Sequence, residues 1–130
     1  MSFKSITLIA LLSISMLAHA YNKNDKTTTF RLSYLCSAGQ SDQTGLRSTL
    51  LCMAKLSDFV ERLKDEIKSE YGDKKYKEWL SDIENSGGVT AGEEQKMFVA
   101  YVKSHPEKLK LNAYSTYKNV MLLAFPVESE

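Results

Sequence analysis

Leu46, Met53, Leu56, Val60, Leu63 and Ile67 recur at spacings of three, four or seven residues along LRSTLLCMAKLSDFVERLKDEIKSEYG, residues 46–72. At 3.6 residues per turn such positions share one helix face, so the segment can gather its apolar groups into one stripe only as an α-helix. Arg62, Lys64, Asp65, Glu66 and Lys68 fill the other face, and Gly72 ends the pattern. The expected helix runs for about six or seven turns. Its stripe needs covering, and the rest of the chain offers further helical patterns rather than strands.

Before it, Thr27, Thr28 and Thr29 offer capping hydroxyls to FRLSYLC. There Phe30, Tyr34 and Ala38 step by four with Leu35 beside them, which suits a short helix ending at Gly39. SAGQSDQTG, 37–45, is a loop by composition. After it, Tyr76, Trp79, Leu80 and Ile83 follow the i, i+3, i+4, i+7 pattern of a short amphipathic helix from about Lys74 to Glu84. Trp79 reads as its core anchor, and Ser86-Gly87-Gly88 breaks it. Thr90 and Glu93 have capping-box spacing, with the hydroxyl on the Glu93 amide and the carboxylate reaching back to the Thr90 amide. Phe98, Tyr101, Val102 and His105 then share a face until Pro106 stops the helix. Asn112 caps a last helix with Ala113, Tyr117, Val120, Met121 and Ala124 inside, ended by Phe125-Pro126. The fold class is therefore all-α: a small bundle of about four to five helices. Its expected core gathers Leu56, Val60, Leu63, Phe98, Val102, Val120 and Met121.

The first 20 residues, MSFKSITLIALLSISMLAHA, have one charge at Lys4, an apolar run from Ile6 to Leu17, and Ala18-His19-Ala20 as a small-x-small cleavage pattern. That is the layout of a secretory signal peptide, and the run is short for a membrane span. Residues 1–20 are expected to be removed, leaving a helical domain over 21–130 outside the cytoplasm, with no membrane attachment after cleavage. With Lys4 gone, 16 basic residues balance 16 acidic ones. That leaves no basic excess for nucleic acid. Two cysteines in an exported chain most simply pair. A metal site or a thiol nucleophile would need partners, and His105 is the one histidine beyond the signal. Cys36 and Cys52 are therefore expected to form a disulfide that ties the first two helices across their loop.

His105 falls in the last turn of a helix, where a donor or cationic side chain is favourable. A triad or a metal cluster cannot be assembled around one histidine, so no catalytic residue and no cofactor is expected. The same region carries a likeness. Gly88-Val89-Thr90, Gln95, Tyr101, His105-Pro106-Glu107, Ala113 and Phe125-Pro126 resemble the C-terminal half of the Rap/Tai-type immunity proteins of type VI secretion amidase effectors. Most of the 21–130 segment follows the pattern, loosely in its first half. The chain departs from it at Val127, where the family has a cysteine after Phe-Pro, and near Glu84, where that cysteine's partner falls. It also has Met53-Ala54-Lys55-Leu56 in place of a Gly-Tyr-Ile-x-Gly element, and a longer segment from Tyr71 to Ser86. The resemblance implies an all-helical periplasmic binder, often a homodimer, that occludes the active site of a cysteine-dependent peptidoglycan amidase and performs no catalysis. The alternative is a periplasmic acid-stress chaperone, also small, helical, exported and disulfide-tied.

Recognition is usually carried by loops on a rigid frame. The extra length, the Gly87-Gly88 pair, the aromatic Tyr76 and Trp79 and the acids Asp82, Glu84, Glu93 and Glu94 all fall between Tyr71 and Glu94. These six side chains are the expected toxin-binding set. The loops 37–45 and 106–112 are the next places to look.

Overall fold

A computed structural model describes residues 21–38 and 43–128. The expected signal peptide and Gly39 lie outside the described residues. Among the described residues there are four α-helices, α1 Thr29–Ser37, α2 Gln43–Asn85, α3 Ala91–Ser104 and α4 Ala113–Ala124, with a 3-10 turn Pro106–Lys108 before the last. Among the described residues there is no strand, only an isolated bridge between Thr28 and Asn112.

Helix α2 is two helical arms joined at a kink. Gly72 has φ 88° and ψ 169°, a conformation open to glycine and strained for any residue with a Cβ. It divides the run into a long arm, 43–71, and a short arm, 73–85, as the end of the apolar stripe at Gly72 leads one to expect. The long arm starts at Gln43, earlier than the expected loop 37–45 allows. Adding a turn to a helix already held by packing costs little, so polar residues suffice to extend it. Leu46, expected at the head of the apolar stripe, is exposed, as is Leu50 one turn on. The short arm closes on Gly87 and Gly88, both at positive φ. There the Gly88 amide donates to the Ile83 carbonyl at 2.9 Å and the Gly87 amide to Glu84 at 3.0 Å. This is the paired-bond C-cap that glycine favours.

Capping follows the sequence closely. The Thr28 hydroxyl accepts from the Arg31 amide, and the Asn112 side chain accepts from the Tyr114 and Ser115 amides. The Thr90 hydroxyl accepts from the Glu93 amide at 3.1 Å. The second half of the expected box differs, because the Thr90 hydroxyl itself donates to Glu93 Oε1 at 3.1 Å. Helix α1 turns its i, i+4 aromatics outward. Phe30 and Tyr34 are 60% and 61% exposed, whereas Thr29, Leu32, Leu35 and Cys36 are buried. The rotation is fixed at its start. The Thr29 amide donates to the Leu111 carbonyl at 2.8 Å. Its hydroxyl donates there too at 3.0 Å and lies 2.8 Å from the Thr116 hydroxyl. A hydroxyl has one proton, so with Thr29 donating to Leu111, Thr116 donates to Thr29.

The disulfide Cys36–Cys52 joins α1 to the long arm of α2. The core runs along the α2 stripe from Cys52 through Leu56, Phe59, Leu63 and Ile67 and is closed by Leu32, Phe98, Val102, Tyr117, Val120 and Met121. Six of the seven expected core residues are buried, and Val60 is half-buried against the same cluster. Ala124, expected inside, is exposed.

Candidate partner-binding groove

The six residues expected to bind between Tyr71 and Glu94 differ in exposure. Trp79 is 2% exposed, and its indole Nε1–H donates to the Phe125 carbonyl at 2.8 Å. It anchors the short arm of α2 to the chain beyond α4, in agreement with its reading as a core residue. Glu94, expected as an acidic tip, is instead 8% exposed. Its Oε1 accepts from the Tyr117 hydroxyl at 2.9 Å. Asp82, Glu84 and Glu93 are exposed and Tyr76 is half-buried.

Three of the six expected residues nevertheless meet. Trp79, Glu84 and Glu94 line a groove of about 330 Å³ between the two arms of α2, the glycine turn and helices α3 and α4. The fold brings them there from three directions. The break at Gly72 turns the short arm so that Trp79 reaches the core. The Thr90 cap sets the start of α3, which places Glu94 in its first turn facing inward. Tyr117 comes from the inner face of α4. Asp82, Tyr76 and Glu93 do not line the groove.

The Glu94 carboxyl is held above its ordinary value of 4.5 chiefly by burial, which the Tyr117 hydrogen bond and the Lys64 charge only partly offset. The Tyr117 hydroxyl is pushed up strongly by its own burial and by the Glu94 charge. Lys64 lines the groove as well, with its ammonium 3.5 Å from Glu61 Oε1.

A second polar cavity, of about 470 Å³, lies on the other side of α2 between Tyr21, Arg62, Glu66 and Lys118. Arg62, Glu66 and Lys118 satisfy one another there. Glu66 Oε2 accepts from the Tyr114 hydroxyl at 2.6 Å and from Lys118 at 3.1 Å, and Arg62 lies 3.9 Å above the Tyr114 ring. Burial pushes the Glu66 carboxyl up, but the bonds from Tyr114 and Lys118 outweigh it and hold the group below 4.5. Tyr21 donates to Asp65 at 2.6 Å, and that bond, with burial, raises its phenol to about 12. The arrangement clamps the N-terminal segment and α4 onto α2. These tyrosine–carboxylate pairs are not legible in the sequence. Their one signal is a pair of tyrosines, Tyr114 and Tyr117, at the start of an inward-facing helix, where each buried hydroxyl needs a partner.

His105 ends α3. Its amide donates to the Val102 carbonyl, its Nδ1–H donates to the Tyr101 carbonyl at 2.9 Å, and its ring stacks on Tyr101 with centroids 4.0 Å apart. A carbonyl can only accept, so this bond places the proton on Nδ1. Among the described residues no group of three or more His, Cys, Asp or Glu is arranged to hold a metal ion, and no helix is long and apolar enough to cross a membrane. No protein-family model matches the chain, and neither a curated protein nor a solved structure gives a match to it.

Proposed function

We propose that this protein is a periplasmic immunity protein that binds a peptidoglycan-amidase toxin delivered by type VI secretion and occludes its active site, without catalysis or cofactor of its own. The observation that carries this reading is where the family-like residues fall: they occupy the joints of the fold. Thr90 caps α3, and Gln95 Nε2 donates to the Cys36 carbonyl at 2.7 Å, tying α3 to the disulfide. Tyr101 and His105 stack at the end of α3, and Pro106 opens the 3-10 turn. Ala113 is the fully buried first residue of α4, and the Phe125 carbonyl receives Trp79.

The last of these also accounts for a departure. The resemblance implies a second disulfide between the positions of Val127 and about Glu84. Here the Trp79–Phe125 bond ties the same two segments, so loss of that cysteine pair leaves the tail anchored. The disulfide that remains is compatible with an oxidising compartment.

In this reading Asp82 and Glu84 are exposed acids on the short arm, at and beside the groove mouth. Reversing both, Asp82→Lys with Glu84→Lys, is expected to weaken binding to the cognate amidase by about tenfold or more, because like charge replaces complementary charge. The helical circular-dichroism signal should be unchanged, and cells making the toxin in their periplasm should lose protection. Unchanged affinity and survival would move the contact to another surface.

A further inference from the structure

We propose that the Glu94 groove receives one cationic side chain, an arginine or a lysine, presented by a loop of the partner protein. The identity of that partner rests on the toxin-binding reading above; the choice of a cation rests on the groove itself.

One carboxylate dominates the chemistry of the groove. Glu94 is more than nine-tenths buried, yet Tyr117, which reaches Oε1, is its one side-chain donor among the described residues. No fully buried side-chain oxygen or nitrogen lacks a partner among those residues. Oε2, which no protein donor reaches, therefore keeps an opening, and the groove that Glu94 lines provides it. An ionised carboxylate in such a position favours a cation strongly, because water competes poorly there. The protein's own nearby cation is turned elsewhere, since the Lys64 ammonium is 3.5 Å from Glu61.

The rest of the groove selects the shape of that cation. Its walls are Val60, Leu80, Ile83 and Met121, and Glu84 adds a second acid to the lining. A long basic side chain matches this arrangement, with methylenes along apolar walls and the charged head at the carboxylate. A volume of about 330 Å³ suits a single side chain rather than a helix. A metal ion is a poorer fit, because no group of three ligating residues is present among the described residues.

The test is an NMR titration of the full domain with N-acetyl-arginine amide, against the neutral isostere N-acetyl-citrulline amide. The arginine probe should shift the Ile83, Val89 and Met121 resonances saturably, and citrulline should bind about tenfold more weakly or worse. Glu94→Gln, whose side-chain oxygen can still accept from Tyr117, should abolish the preference for arginine. Lys64→Met, which removes the competing charge, should tighten arginine binding severalfold and decides the matter if Glu94→Gln fails to fold. Equal binding of the two probes, a preference that survives Glu94→Gln, or no effect of Lys64→Met would each overturn the inference. Inhibition of the amidase by the protein is measured separately. Arginine binding without amidase inhibition supports the groove and overturns the toxin as partner, whereas inhibition without arginine binding overturns the groove alone.

Discussion

Leu63→Ala is expected to lower the free energy of unfolding by about 2–5 kcal/mol. Leu63 is fully buried in the middle of the α2 stripe, with Leu56 and Phe59 before it and Ile67 after it. Truncation removes apolar surface burial and leaves a hole that a helix held on several sides cannot close. Stabilities of small domains are about 5–15 kcal/mol, so the loss is a large share of the total. Leu50 provides the control on the same helix. It is 58% exposed, and Leu50→Ala should shift stability by no more than about 0.5 kcal/mol. Denaturant midpoints of the two variants check this. A near-neutral result for Leu63→Ala would mean that the stripe is not the seam of the fold.

Replacing Cys36 and Cys52 together by serine should cost about 3 kcal/mol in the chain-entropy model, for a bond between residues 16 apart in sequence. For a domain of this size that lowers the melting temperature by on the order of 10 °C or more. Two further ties hold the same corner without the sulfurs: Gln95 on the Cys36 carbonyl and the Thr49 hydroxyl on the Ala38 carbonyl. The variant should therefore still fold and still bind. Thiols counted in the denatured, unreduced native chain should be near zero. Two free thiols, or an activity lost with the sulfurs while the fold persists, would contradict a purely structural bond.

The elements that were legible in the sequence are those set by local physics. The α2 stripe, the Thr90 and Asn112 caps, the stop at Pro106 and the pairing of the two cysteines all depend on residues close in sequence or on a count. What depended on distant partners was not legible. The inward face of α1 is set by Thr29 meeting Leu111 and Thr116 more than 80 residues away, which the regular step from Phe30 to Tyr34 does not reveal. Glu94 looked like a surface acid because the Thr90-to-Glu93 cap explains its neighbour. Only the packing of α4 shows that Tyr117 reaches it. Trp79 could be read as an anchor from its stripe, but its partner, a carbonyl 46 residues on, could not. The groove is assembled from both arms of α2 and two later helices, so no single segment announces it.

The proposed neutralisation of an amidase by binding is tested most directly by a titration of amidase activity. Purified protein is added to a type VI amidase effector proposed as its target, with peptidoglycan fragments as substrate. Activity should fall linearly with added protein and be abolished near one binding site per toxin molecule. Full amidase activity in the presence of a large excess of folded, disulfide-bonded protein would contradict it.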